Sequence, residues 1–282
     1  MGIIKKIVAA SLIHTACYAL PLGNPQEASL LNCGAFNNYP MACLGCRADF
    51  VTVRVGFYGD YVFNRHLKAK TPSGKWKSLH ETRLMTNAAV IAVDILNRGE
   101  FFSTLGGTNL SLKSRAVSLG STSTLDFLLE TQTRFSWSVG GNVILWKCGS
   151  FSLGIEGQYF NYRPKLKEVR FETMDVLYPS RTVRVKYDEW QLGAGIAYSF
   201  FISDSATCVP YIGVEGAAAY GTFGEFLFAE TIDSVMLPHF RSDRNVGYAL
   251  GLSLVGCGTW QITAEARFIN ETACHVSADF RF

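Results

Sequence analysis

The residues in this 282-residue chain whose types and spacing could do chemistry are charged side chains that recur on one phase of alternating runs. Near the C-terminus Glu265, Arg267, Asp279 and Arg281 stand opposite Ile262, Ala264, Phe268, Val276, Ala278 and Phe280. Earlier, Arg54 and Asp60 oppose Val53, Val55 and Phe57, and Arg134 opposes Phe135 and Trp137. Glu156 and Gln158 oppose Leu153 and Ile155, and Glu215 opposes Ile212 and Val214. Side chains alternate across a strand, so each of these ten polar residues shares a face with others of its kind. Such a face, carrying both signs, acts on ions and small polar solutes through its local field.

Other chemistries are weaker in the sequence. Seven cysteines, Cys33, Cys43, Cys46, Cys148, Cys208, Cys257 and Cys274, remain once Cys17 is removed with an export signal. In an oxidising compartment they are disulfide candidates, and an odd number leaves one over. Cys43 and Cys46 form a CxxC, but Pro40 and Gly45 surround it where a redox site wants a helix start, and a zinc site lacks its second pair. His66, His80, His239 and His275 are scattered, so an enzyme site is not expected; a His cluster at one rim would reverse that. Asp188-Glu189 could hold calcium, although a solvated rim is the simpler reading. No glycine-rich phosphate loop with a following lysine occurs. No catalytic residue, metal or cofactor is therefore expected.

The elements that must position the charged face are strands. The chain is 48% hydrophobic and 17% charged, the latter below the roughly 25% of a soluble domain. The net charge of +3 is too small to indicate a nucleic-acid partner. After the N-terminus no apolar run approaches the roughly 18 residues of a membrane helix. Residues 1–19 read as a cleaved signal peptide, with Lys5 and Lys6 before an apolar core and Cys17-Tyr18-Ala19 as the cleavage site. Residues 20–48, with Pro21, Pro25 and Pro40, are expected as an irregular segment or a partial plug. Residues 49–282 carry the alternating runs. Asn87–Leu96 and Leu110–Leu119 are less regular, Gly106-Gly107 reads as a turn between them, and Leu125–Glu130 admits a short helix. Aromatics such as Phe57, Phe63, Phe135, Trp146, Trp190 and Phe200 fall near run ends, as in interfacial girdles. Short and long connections alternate. These features predict an all-β, closed antiparallel transmembrane barrel of about 12 strands, with 10–16 admissible, and a lumen lined by the ten polar residues. Because that set mixes signs, only modest ion selectivity is expected.

Several segments then carry a resemblance. Ala19–Pro25, Val55–Phe63, Trp137–Gly149, Lys186–Gln191, Pro210–Val214 and His275–Phe282 resemble, in order, the major outer membrane porin family of Chlamydia. The resemblance implies an outer-membrane porin, often a homotrimer, in an envelope braced by disulfide-linked proteins. It also implies assembly by the barrel assembly machinery, with the terminal Phe282 as the assembly signal. The chain is shorter than typical members and carries Cys274 in its closing segment, which marks a divergent paralogue. The alternative from the same residues is a structural envelope protein whose barrel is plugged and whose cysteines cross-link.

Overall fold

The computed structural model describes residues 21–30, 51–70, 74–117, 124–171, 183–203, 205–223, 239–256 and 258–281. In chain order its strands are β1 (Val51–Arg65), β2 (Leu67–Lys70), β3 (Trp76–Ser78), β4 (Glu81–Ile95), β5 (Gly99–Val117), β6 (Thr124–Thr131), β7 (Arg134–Cys148) and β8 (Phe151–Tyr162), then β9 (Leu166–Phe171), β10 (Val185–Tyr198), β11 (Phe200–Ser203), β12 (Ala206–Phe223), β13 (His239–Ser242), β14 (Val246–Gly256), β15 (Trp260–Phe268) and β16 (Glu271–Arg281). The one helical turn among the described residues is Glu27–Leu30.

Ten of these strands close a barrel. The pairing runs β10-β8-β7-β5-β4-β1-β16-β15-β14-β12, and β12 returns antiparallel to β10. The first and last strands pair directly, with Gly56 opposite Asp279 and Asp60 opposite His275. Ten lies inside the expected range but below twelve. The difference is physical: β2, β3, β6, β9 and β13 lie in the connections at one end and extend the wall there without adding to its circumference, and short β11 does the same at the other. The tight connections around residues 96–98 and 149–150 lie at one end of the barrel. The long connections, and the short one at residues 269–270, lie at the other.

Two local expectations are corrected. Gly106-Gly107 is not a turn; both glycines lie within β5. A Cβ at Gly106 would meet the Asn87 carbonyl oxygen at 2.2 Å and Ala88 Cα at 2.4 Å, so glycine is there for close approach to β4. The reversal falls at Leu96 and Asn97, both with positive φ. Leu125–Glu130 is strand, within β6.

The pleat sorts the side chains cleanly. Val53, Phe57, Phe101, Val139, Ile155, Trp190, Ile196 and Ile262 are exposed on the outer wall, whereas the alternating positions are buried within the barrel. An outer wall of this composition is stable only against lipid, because a row of large apolar side chains around the whole circumference in water would drive association.

Candidate functional site

Nine of the ten polar residues singled out from the sequence lie inside the barrel. Arg54, Asp60, Glu156, Gln158, Glu215, Glu265, Arg267, Asp279 and Arg281 are all buried there, in walls built by β1, β8, β12, β15 and β16. Arg134 has the inward phase but sits exposed at the long-connection end of β7, donating to Gln132. The interior is stacked in three layers, described from the tight-turn end.

In the first layer, residues 21–30 form a strap inside the barrel. The Leu22 and Gly23 amides donate to the two oxygens of the Glu265 carboxylate, each at 3.0 Å, and the Tyr211 hydroxyl donates to the same group at 2.8 Å. Asn24 Nδ2 donates to Ser253 Oγ at 2.9 Å, and Gln26 Oε1 accepts from Ser199 Oγ at 2.8 Å. Glu27 pairs with Arg54 at 2.8 Å. Inward-facing glycines make the room: a Cβ at Gly213 or Gly193 would lie about 2 Å from Leu22, and one at Gly154 would lie 2.5 Å from the Pro25 carbonyl oxygen.

The second layer is an ion network. Arg54 also pairs with Glu100, and with Asp279 at 3.1 Å. This neutralises what would otherwise be a destabilising match, since Arg54 faces Arg281 across the β1–β16 ladder. Arg267 reaches Asp60 at 2.6 Å, Glu271 at 2.5 Å and Glu265 at 3.6 Å. Arg65 bridges Glu189 and Glu271. Hydroxyls continue the polar wall on the opposite side, through Thr86–Thr108–Ser136 and Thr104–Ser138–Gln158. Beside the strap this layer leaves a cavity of about 40 Å³, lined by Pro21, Glu27, Glu156, His275 and Asp279 among others.

The third layer, toward the long connections, is apolar. Val62, Leu84, Leu110, Leu112, Phe160, Tyr162, Tyr187 and Phe223 pack across the lumen, and Phe240 of β13 folds inward onto them. Its ring centroid is 5.1 Å from Phe223 and 6.0 Å from Tyr187. Gly221 clears the space, because a Cβ there would lie 1.7 Å from the Phe240 ring.

Sequence reasoning missed five interior charges. Asp94 only interrupts an apolar run, Glu100 precedes the run Leu110–Leu119, and Glu271 falls between the two closing alternating runs. Asp188 and Glu189 read in the sequence as one solvated rim, yet only Asp188 faces outward, against Arg163. Glu189 is fully buried against Arg65. Arg65 shares the phase of outward Phe63; the register shift between Val62 and Asn64 turns it inward. With these five and Glu27, ten carboxylates share the interior with four guanidiniums among the described residues, so both signs are present with acids in excess.

Among the cysteines, Cys148, Cys208 and Cys274 are free thiols, and Cys148 is exposed at the tight-turn end. Cys33, Cys43, Cys46 and Cys257 lie outside the described residues, as do Phe282 and residues 1–20. His66, His80 and His239 sit on separate elements at the long-connection end. The neighbouring Asp243 carboxylate is engaged by Lys68 and Ser78, not by a histidine.

The sequence pattern of the Chlamydia major outer membrane protein family matches residues 3–75, 117–177 and 216–282. The chain belongs to that family. Similar relatives include the major outer membrane porin of Chlamydia pneumoniae, 29% identical over 393 aligned positions covering 99% of this chain and all of the relative. The porin of Chlamydia trachomatis serovar D is 26% identical over 392 positions with the same coverage. Both alignments are longer than this chain of 282 residues, so the family member is a short one. The stretches outside the family match, 76–116 and 178–215, contain β4, β10 and most of β5, so the divergence reaches barrel strands as well as connections. Lys186–Gln191 and Pro210–Val214 fall in those stretches. Among solved structures, the outer membrane protease OMPT from Escherichia coli is 9% identical with a TM-score of 0.47, covering 82% of this chain and 96% of its own. The translocator domain of autotransporter NalP from Neisseria meningitidis is 13% identical with a TM-score of 0.41, covering 82% and 88%. This family member is an outer-membrane β-barrel protein, with its apolar outer wall against lipid. In such barrels the tight turns face the periplasm.

Proposed function

We propose that this protein is a narrow porin that passes small hydrophilic solutes and ions, and that the strap and the apolar layer hold it shut in the conformation described here. The observation that carries the reading is the polar inner wall, whose charges and hydroxyls run from the strap to the apolar layer on strands all around the barrel. The naming of its relatives as major outer membrane porins supports the same reading. Passage is passive, and the side chains of the wall set solute preference by their field. No catalytic role is proposed. Planar-bilayer recording of the refolded mature chain is the test. Discrete conductance steps are expected, with a low open fraction; steps as large and as constantly open as those of a wide channel would contradict the closed layers.

A second reading, a structural envelope protein, is favoured by one observation: among the described residues, apolar side chains from strands around the barrel form a single buried cluster at the long-connection end. It predicts no conductance even after the strap is removed. In either reading Cys148, exposed at the periplasmic end, is the proposed point of disulfide linkage to other envelope proteins. Phe282 is proposed as the signal read by the barrel assembly machinery, and a homotrimer as the assembled form. Non-reducing electrophoresis of envelopes tests the linkage; a Cys148→Ser variant with an unchanged ladder would remove it.

A further inference from the structure

The cavity beside the strap has an imbalance of hydrogen-bonding groups. Glu156 is buried on β8 and makes no hydrogen bond or ion pair among the described residues, although every other carboxylate lining the same space has a partner. Asp279, almost fully buried, commits one oxygen to Arg54, and its Oδ1 is without a hydrogen-bond partner. His275 is equally buried. One ring nitrogen bonds the Gly59 backbone carbonyl, which makes Nδ1 a lone-pair acceptor, and Nδ1 has no donor. Four acceptor atoms thus border one small space, where the donors without a partner are only the Tyr58 hydroxyl and Arg54 Nε, so acceptors are in excess. An unsatisfied buried acceptor is costly, and an unpaired buried carboxylate more so.

We infer that this cavity is a binding site for a primary ammonium group. A –NH3+ group supplies three N–H donors and one positive charge, which suits this excess of acceptors and an interior with ten carboxylates against four guanidiniums. The volume of about 40 Å³ admits a head group of that size, since a water needs roughly 10–15 Å³ by the same measure. A bare divalent metal fits less well. It needs its ligands drawn in to about 2.0–2.6 Å, and no such cluster of His, Cys, Asp and Glu occurs among the described residues. Two sources offer the same chemistry. One is a small amine solute entering the lumen. The other is the chain itself: cleavage after Ala19 leaves its α-amine on Leu20, the residue bonded to Pro21, and Pro21 borders the cavity.

The inference does not depend on conduction, so its test reads stability. Two refolded forms of the full barrel are compared in detergent, one beginning at Leu20 and one carrying a short N-terminal extension. The readout is the temperature at which the compact band on electrophoresis converts to the unfolded band, with methylammonium or tetramethylammonium chloride at equal ionic strength. A saturable rise of several degrees with methylammonium, absent with tetramethylammonium, is expected. If a solute amine is the natural occupant, both forms respond. If the α-amine is, only the extended form responds. Glu156→Gln brings its own N–H donors and should weaken the response about tenfold or more, which is about 1.4 kcal/mol or more of binding. His275→Gln gives a second, independent loss should the first variant fold poorly. The inference is overturned if neither form responds, if the two cations act alike, or if both variants keep the wild-type response.

Discussion

The two ends of the lumen are closed by opposite physical means. At the periplasmic end a polar stretch of backbone is held by directional bonds: two amides on Glu265, Asn24 on Ser253, Glu27 on Arg54. At the outer end Phe240, Phe160, Leu84 and their neighbours close the lumen by apolar contact. Opening the first end exchanges protein hydrogen bonds for water, at about 0.5–1.5 kcal/mol each, and uncovers few large apolar side chains, Leu22 and Leu30. Opening the second exposes apolar area at about 25 cal/mol per Å² with nothing to replace it. The strap is therefore the closure suited to reversible movement, and the apolar layer is the one that sets the resting state.

Four measurements break or sharpen this contrast. The largest effect is expected between the two ends, at Arg267→Met. The substitution keeps volume but strands Asp60 and leaves Glu265 and Glu271 with fewer partners, at a cost of about 3–5 kcal/mol. Urea titration of the folded band reads it, and a loss under about 1 kcal/mol would mean that water, not Arg267, compensates these acids. Phe240→Ala comes next, at about 3 kcal/mol, since it empties the centre of the apolar layer. It should also raise open probability in bilayer recordings; a stability loss with no change in gating would move the outer closure elsewhere. Gly213→Val places methyl groups where Leu22 lies and should evict the strap while leaving the wall intact. About 1–3 kcal/mol of stability is lost with the strap bonds, and proteolytic access to residues 21–30 rises. A strap that remains protected would refute the glycine argument. The smallest effect is outside the membrane. Hydrogen bonds from Lys68 and Ser78 hold the Asp243 carboxyl below its usual range. A depressed folded pKa gives stability that is present above the unfolded value of about 3.9 and is lost as pH falls through the folded one. Because the group is largely exposed, well under about 1 kcal/mol is at stake. Pepsin nicking near β2 and β3 should increase only below that range, and an Asp243→Asn variant should nick equally at all acidic pH values.

The barrel was legible in the sequence wherever the period of two was unbroken. Trp260 to Phe268 and Val276 to Phe280 needed nothing but alternation to fix both faces, and the structure keeps that register. Legibility failed where one residue broke the period or where tertiary approach chose the residue type. The shift at Val62 and Asn64 hid Arg65, and close approach of β4 turned Gly106 into an apparent turn signal. Gly193 and Gly195 stand in the sequence on the phase opposite Trp190 and Leu192. That they vacate space for Leu22 could not be read, because the strap is distant in sequence and has no period of its own. The apolar layer was hidden for a similar reason, since Phe240 reaches it from a connection rather than from a wall strand.

The bonds from Leu22 and Gly23 to Glu265 join residues 243 and 242 positions apart. Loop closure over such a span contributes nothing favourable until the intervening wall exists, and long-range contacts form late for that reason. The same strap also needs Gly193 and Gly213 on β10 and β12, which meet Leu22 from the facing wall. The first described residues of the chain are therefore the last to reach their place. Their seating reports that β16 has met β1 in the correct register, because a slip of one residue would turn Glu265 away from them. Burial of the strap is thus a quality check on ring closure, and its resistance to protease during refolding would time the final event of barrel maturation.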